Sequence, residues 1–106
     1  MDRIKILKDY LIKEPNDDFL NYALALEYLK IEDFEKAQQL FSDIKTRTPE
    51  YLPVYFQMGK LLESKKEIEK AIVIYNAGLK IAIEQGNIKT MNELKEAISL
   101  ISELDE

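Results

Sequence analysis

Leu24-Ala25-Leu26-Glu27-Tyr28 is followed by Ala37-x-x-x-Phe41 and then by Pro49. Adding 34 to these positions lands on Met58-Gly59-x-x-Leu62 and Ala71-x-x-x-Tyr75. Subtracting 34 takes Pro49 to Pro15, Phe41 to Leu7 and Ile44 to Tyr10. Glu35-Lys36-Ala37 likewise returns as Glu69-Lys70-Ala71. A fixed period of this length is the mark of stacked helical repeats, each too small to bury its apolar face alone.

The helices read outward from this core. Ile4, Leu7 and Leu11 form a helical stripe over residues 2–14, with Ile6 and Tyr10 beside it, and Pro15 ends it. Asn16-Asp17-Asp18 offers capping oxygens for a helix that runs to Lys30. That helix is apolar on more than one face, so it is either packed on two sides or carries a binding surface. Asp33 caps a third helix with Phe34, Ala37, Leu40, Phe41 and Ile44 as its apolar positions. Pro53 suits the first position of a fourth, which ends near Glu63 with Tyr55, Met58, Gly59 and Leu62 on one stripe. A fifth, from Ile68 to Gln85, has Ala71, Ile72, Ile74, Tyr75, Gly78, Leu79, Ala82 and Ile83 available to bury. Gly86 and Asn87 separate it from a last helix with Ile88, Met91, Leu94, Ile98 and Ile101 on one face. Its other face carries Lys89, Asn92, Glu93, Lys95, Glu96 and Ser99.

The spacing resembles the tetratricopeptide repeat: an aromatic, then Leu-Gly-x-x-Tyr, then Ala-x-x-x-Phe, then Pro. Tyr55-x-x-Met58-Gly59-x-x-Leu62 with Ala71 and Tyr75 carries the second copy, and Gly78 a further small position. The resemblance implies an all-α, right-handed helical-repeat superhelix of about six helices. Residues 2–15 would be half a repeat, 18–51 and 52–85 two repeats, and 87–104 a capping helix, in one domain spanning 1–106. Departures are Asn21 for an aromatic, whose space Leu20 is expected to fill, Ile44 for a small residue and Ile83 for proline.

In the family the first helix of each pair lines a concave face that binds partners. Carried onto this chain, the lining positions are Phe19, Tyr22, Leu26, Leu29 and Lys30, then Pro53, Phe56, Lys60, Glu63 and Ser64. An apolar trough of Phe19, Tyr22, Leu26 and Phe56 with Lys60 and Glu63 at one end suits a peptide or a partner helix. The bland alternative is that a terminal helix fills it. Tyr22 and Leu26 stand where family members that clamp chaperone C-termini need polar groups, which argues against that ligand. Self-association into a homo-oligomer is the competing reading of the same apolar surfaces.

Composition removes most other functions. There is no histidine and no cysteine, so the commonest general base, thiolate chemistry and disulfides are absent. The serines have no histidine base, and no glycine-rich loop could cradle phosphate. No catalytic activity and no cofactor are expected. The net charge of −5 argues against nucleic acid and anionic membranes. No stretch approaches a signal peptide or a membrane span, so a cytoplasmic protein is expected. The clusters Asp17-Asp18, Glu32-Asp33 with Glu35, and Ser102–Glu106 lack calcium-loop spacing, and capping explains them better.

Overall fold

A computed structural model describes residues 2–104. Six α-helices are present among them: α1 Arg3–Lys13, α2 Asp18–Lys30, α3 Phe34–Arg47, α4 Pro53–Ser64, α5 Ile68–Gln85 and α6 Ile88–Leu104. Asp105 and Glu106, in the acidic terminus singled out above, lie outside the described residues. The chain forms two compact units that meet between Val54 and Tyr55. The first holds α1 to α3 and the opening of α4; the second holds the rest of α4 with α5 and α6.

Local chemistry sets the helix ends. The Asp2 carboxylate accepts from the Ile4 and Lys5 N–H groups, Asp17 from Leu20, Asp33 from Lys36 and the Asn87 side chain from Thr90. Each satisfies donors that the first turn of a helix leaves open. Glu67 stands at the register of Asp33 without making a side-chain cap bond. Pro53 opens α4 as its missing N–H allows.

The 34-residue period is written into the backbone as well as the side chains. After α2, Glu32 adopts φ 60°; after α4, Lys66 adopts φ 62°. The Asp33 N–H donates to the Tyr28 carbonyl at 2.9 Å, and Glu67 to Leu62 at 2.9 Å. Glu32 donates to Leu29 and Lys66 to Glu63, again one period apart. These are Schellman-type helix ends, where a left-handed residue lets the next N–H reach back and close the final carbonyls. Neither left-handed residue is glycine, and that conformation costs an ordinary side chain ~1–2 kcal/mol. Glu32→Gly and Lys66→Gly are each expected to raise stability by ~0.5–1 kcal/mol, after glycine's own entropy cost. Urea midpoints of the two single variants check this.

In the first unit Ala25, Ala37, Phe41 and Ile44 are wholly buried, with Leu24, Tyr28, Leu52 and Val54 around them. α1 and α3 both pack on α2. Asp18, at the start of α2, accepts from Arg47 Nη2 at 2.9 Å and from the Thr48 hydroxyl at 2.6 Å, tying it to the end of α3. In the second unit Tyr75, Leu94 and Ile101 are fully buried beside Tyr55, Leu61, Ala71 and Ala82. There α6 packs along α5, covering it.

Asn21 is no defect. It is buried, and its amide donates to the Pro15 carbonyl at 3.1 Å and the Asp17 carbonyl at 2.9 Å. Leu20 stays half-buried and does not replace it. The departures at Asn21 and Ile44 compensate by register. Their counterparts one period on are Tyr55 and Gly78, and a Cβ on Gly78 would lie 2.6 Å from the Tyr55 Cβ. The second unit sets a large residue against none; at the same two positions the first unit has the smaller Asn21 and the larger Ile44, both buried.

Three apolar positions expected to be buried are not. Phe34 is 42% exposed, Ile83 56% and Ile88 66%. Each lies at or near the first or last turn of its helix. Conversely Leu61, whose register partner is Glu27, is buried. The repeat signature does not specify that position. Glu27 instead holds Arg3 of α1 at 3.3 Å and Lys30 at 3.0 Å. The Lys30 hydrogen bond, with the charges of Lys30 and Arg3, holds the Glu27 carboxyl below its ordinary range.

Candidate partner-binding site

α2 presents Phe19, Tyr22, Leu26 and Leu29 at helical spacing along one stripe. Phe19 is 69% exposed and lines an open cleft with Tyr10, Lys13 and Glu14 of the α1 end and Asp17 and Leu20. Tyr22 is half-buried, its ring 5.8 Å from Phe41 and 5.9 Å from Tyr51. Leu26 and Leu29 are half-buried as well. Burial pushes the Tyr51 hydroxyl above its ordinary range, with smaller contributions from Tyr22, Asp18 and Asp17.

α4 repeats this arrangement with different chemistry. Phe56 takes the place of Tyr22, its ring 6.1 Å from Tyr75, which takes the place of Phe41. The Tyr75 hydroxyl donates to the Glu63 carboxylate. One period earlier the same two positions are Phe41 and Leu29, so hydroxyl and carboxylate appear together and are absent together. Glu63 is therefore accounted for by its partner inside the helix pair, and Lys60 remains the exposed charge on α4. The Lys60 ammonium lies 5.9 Å from the centre of the Phe56 ring, within cation–π range.

Burial, then the hydrogen bond and charge of Glu63, push the Tyr75 hydroxyl far above the ordinary tyrosine range. The folded chain keeps that proton while the unfolded chain loses it above pH ~10. Its contribution to stability is thus complete below pH ~10 and declines as pH rises beyond it. Denaturation midpoints at pH 8 and above 10 are expected to fall less for Tyr75→Phe than for the wild type. Tyr51 leaves a residual slope.

α6 supplies a wall the sequence reading did not assign. Phe56 and Lys60 share an open cleft of about 280 Å³ with Glu93, Glu96, Ala97 and Leu100. Leu100 is 60% exposed. The last helix therefore borders this part of the α4 face and leaves it open. The available signal was Leu100 itself, which falls off the Met91, Leu94, Ile98 and Ile101 stripe yet lies a turn beyond Ala97 and Glu96.

Among the described residues, no group of three or more acidic, histidine or cysteine side chains is placed to hold a metal ion. Asp17, Asp18 and Asp33 are engaged in caps and in the Arg47 and Thr48 contacts. Among the described residues no helix is long and apolar enough to cross a membrane.

A sequence profile of the tetratricopeptide repeat matches residues 52–82. A tetratricopeptide repeat domain protein from Salinibacter ruber, in its solution NMR structure, is 36% identical to this chain with a TM-score of 0.81. The match covers 85% of this chain and 91% of that one. The chain belongs to the tetratricopeptide repeat family. The crystal structure of the Salinibacter ruber domain agrees, at 35% identity, a TM-score of 0.80 and coverage of 83% and 98%. The TPR2B domain of yeast Sti1, in its pHsp70 complex, shares the repeat fold at a TM-score of 0.85. It is 17% identical, over 95% of this chain and 81% of that one. No curated protein matches the chain.

Proposed function

We propose that this tetratricopeptide repeat chain is a cytoplasmic protein-interaction module. Its partner is a peptide or helix held on the first helices of the repeats. On α2 the contacts are Phe19, Tyr22, Leu26 and Leu29; on α4 they are Phe56 and Lys60, with Glu63 fixing Tyr75 behind them. The observation that carries this reading is the open cleft at Phe56, which an aromatic ring, a lysine and the exposed Leu100 line together. Apolar anchors beside a few charges are what peptide recognition on helical surfaces uses. The protein complex of the yeast domain is in keeping with it.

Self-association is the second reading, favoured by the exposed apolar side chains of α1: Tyr10 and Ile12 are 61% and 78% exposed. Sedimentation velocity over a hundredfold range of concentration separates the readings: a constant monomer supports an outside partner.

Capture from native lysate tests the site. Wild type is run beside Phe19→Ala/Leu26→Ala/Phe56→Ala, after circular dichroism shows the variant to be helical. Tyr22 is left intact because its ring packs on Phe41 and Tyr51. A partner is expected with the wild type and lost with the variant. The same partners on both baits would move the site to another face, and recovery of the chain alone would leave the self-assembling scaffold.

A further inference from the structure

We infer that the cleft between α4 and α6 selects a basic segment: an apolar side chain flanked by lysine or arginine. This rests on the reading of the Phe56 face as a partner site and names the chemistry that face accepts.

Size comes first. At about 280 Å³ the cleft is smaller than the ~300–1,000 Å³ typical of small-molecule sites and is open to solvent. It suits one or two side chains of a passing chain. The apolar part of the lining is Phe56, Ala97 and Leu100. An aliphatic or aromatic anchor seated there removes the exposed Leu100 from water.

Charge then sets the flanks. The α6 wall carries Glu93 and Glu96, and Glu103 continues that face one turn beyond Leu100. All three are exposed. On α4 the facing cation is Lys60, already drawn over the Phe56 ring. The two lysines of α6, Lys89 and Lys95, are not part of the cleft lining. Within the lining two carboxylates thus stand against one cation, in a chain whose net charge is −5. An acidic flank would meet like charge, whereas a lysine or arginine would find two carboxylates beside the anchor. Arginine would add stacking on Phe56.

Two fluorescein-labelled synthetic peptides test this by anisotropy: a nonapeptide with leucine and tryptophan anchors between lysines, and the same peptide with glutamate for lysine. The lysine peptide is expected to bind about tenfold or more tightly than the glutamate peptide, with the preference shrinking as salt rises. Glu93→Lys/Glu96→Lys is expected to reverse the order, and the milder Glu93→Gln/Glu96→Gln to erase it. Equal binding of both peptides, or a preference unmoved by either variant, overturns the inference. Phe56→Ala/Leu100→Ala separates the two levels. Charge-blind binding that this variant abolishes defeats the basic preference alone. Binding that it leaves intact, or none by either peptide, defeats the partner site as well.

Discussion

Phe41→Ala is expected to cost about 3–5 kcal/mol, enough to unfold a large fraction of the first unit at physiological temperature. Phe41 is wholly buried in α3, beside Ala37 on its own helix and against the Tyr22 ring of α2. Removing the ring leaves a cavity lined by groups already fixed elsewhere. Tyr22 is held by Tyr51 on its other side, and α2 is pinned to the end of α3 through Asp18, Arg47 and Thr48. The surroundings can collapse little, which places the cost at the upper part of the range. Phe41→Leu keeps most of the volume and is expected to cost less than half as much. Urea denaturation followed by circular dichroism checks both, and a loss under ~1 kcal/mol for Phe41→Ala would contradict the packing described.

Gly59→Ala is expected to be destabilising even though helix propensity favours alanine by about 1 kcal/mol at an interior position. A Cβ at residue 59 would lie within 2.6 Å of three atoms of the Tyr75 ring. That ring has no room to withdraw. It is fully buried, its hydroxyl is held by Glu63, and Phe56 packs on it. Overpacking of this kind costs ~1–3 kcal/mol or more. With the contacts this short the cost falls at the upper end of that range, so the clash outweighs the propensity gain by up to ~2 kcal/mol. A double-mutant cycle identifies the cause: in a Tyr75→Leu background the penalty of Gly59→Ala is expected to shrink by more than half, whereas an additive result would locate the strain elsewhere.

These two sites show why so much of the fold was legible. A period of 34 residues repeated small and aromatic residues together, and the structure turns each into a specific contact. Gly59 and Gly78 are places of close approach, Ala25 is wholly buried, and the Tyr22–Phe41 and Phe56–Tyr75 pairs recur with nearly the same separation, 5.8 and 6.1 Å. Helix ends were readable because Asp17, Asp33, Pro53 and Gly86 each act through local backbone chemistry. Less was legible where the outcome depends on what lies opposite. Leu61 is buried while its register partner Glu27 gathers Arg3 and Lys30. Ile83 and Ile88 look like core from their spacing, yet they sit at the junction of α5 and α6 with nothing over them.

Of the candidate site, the register was legible: the repeat sets which positions of α2 and α4 correspond, Tyr22 with Phe56 and Leu29 with Glu63. That Phe19, Phe56 and Lys60 hold a partner is the proposal made above. The periodic reading also assigned Glu63 a role at the surface, whereas its carboxylate serves Tyr75. It placed Glu93 and Glu96 on a solvated face of α6, and they border the Phe56 cleft. Both differences come from side chains that meet across helices, which a one-dimensional period does not record.

The central claim is that partners engage the first helices of the repeats. Amide hydrogen exchange of the chain, alone and with the captured partner bound, tests it most directly. Protection is expected to rise in α2 and α4 and along the Glu93 to Leu100 stretch of α6, with the outward side of α5 around the exposed Val73 unchanged. Protection gained around Val73 and along α3, with α2 and α4 unaltered, would contradict the account.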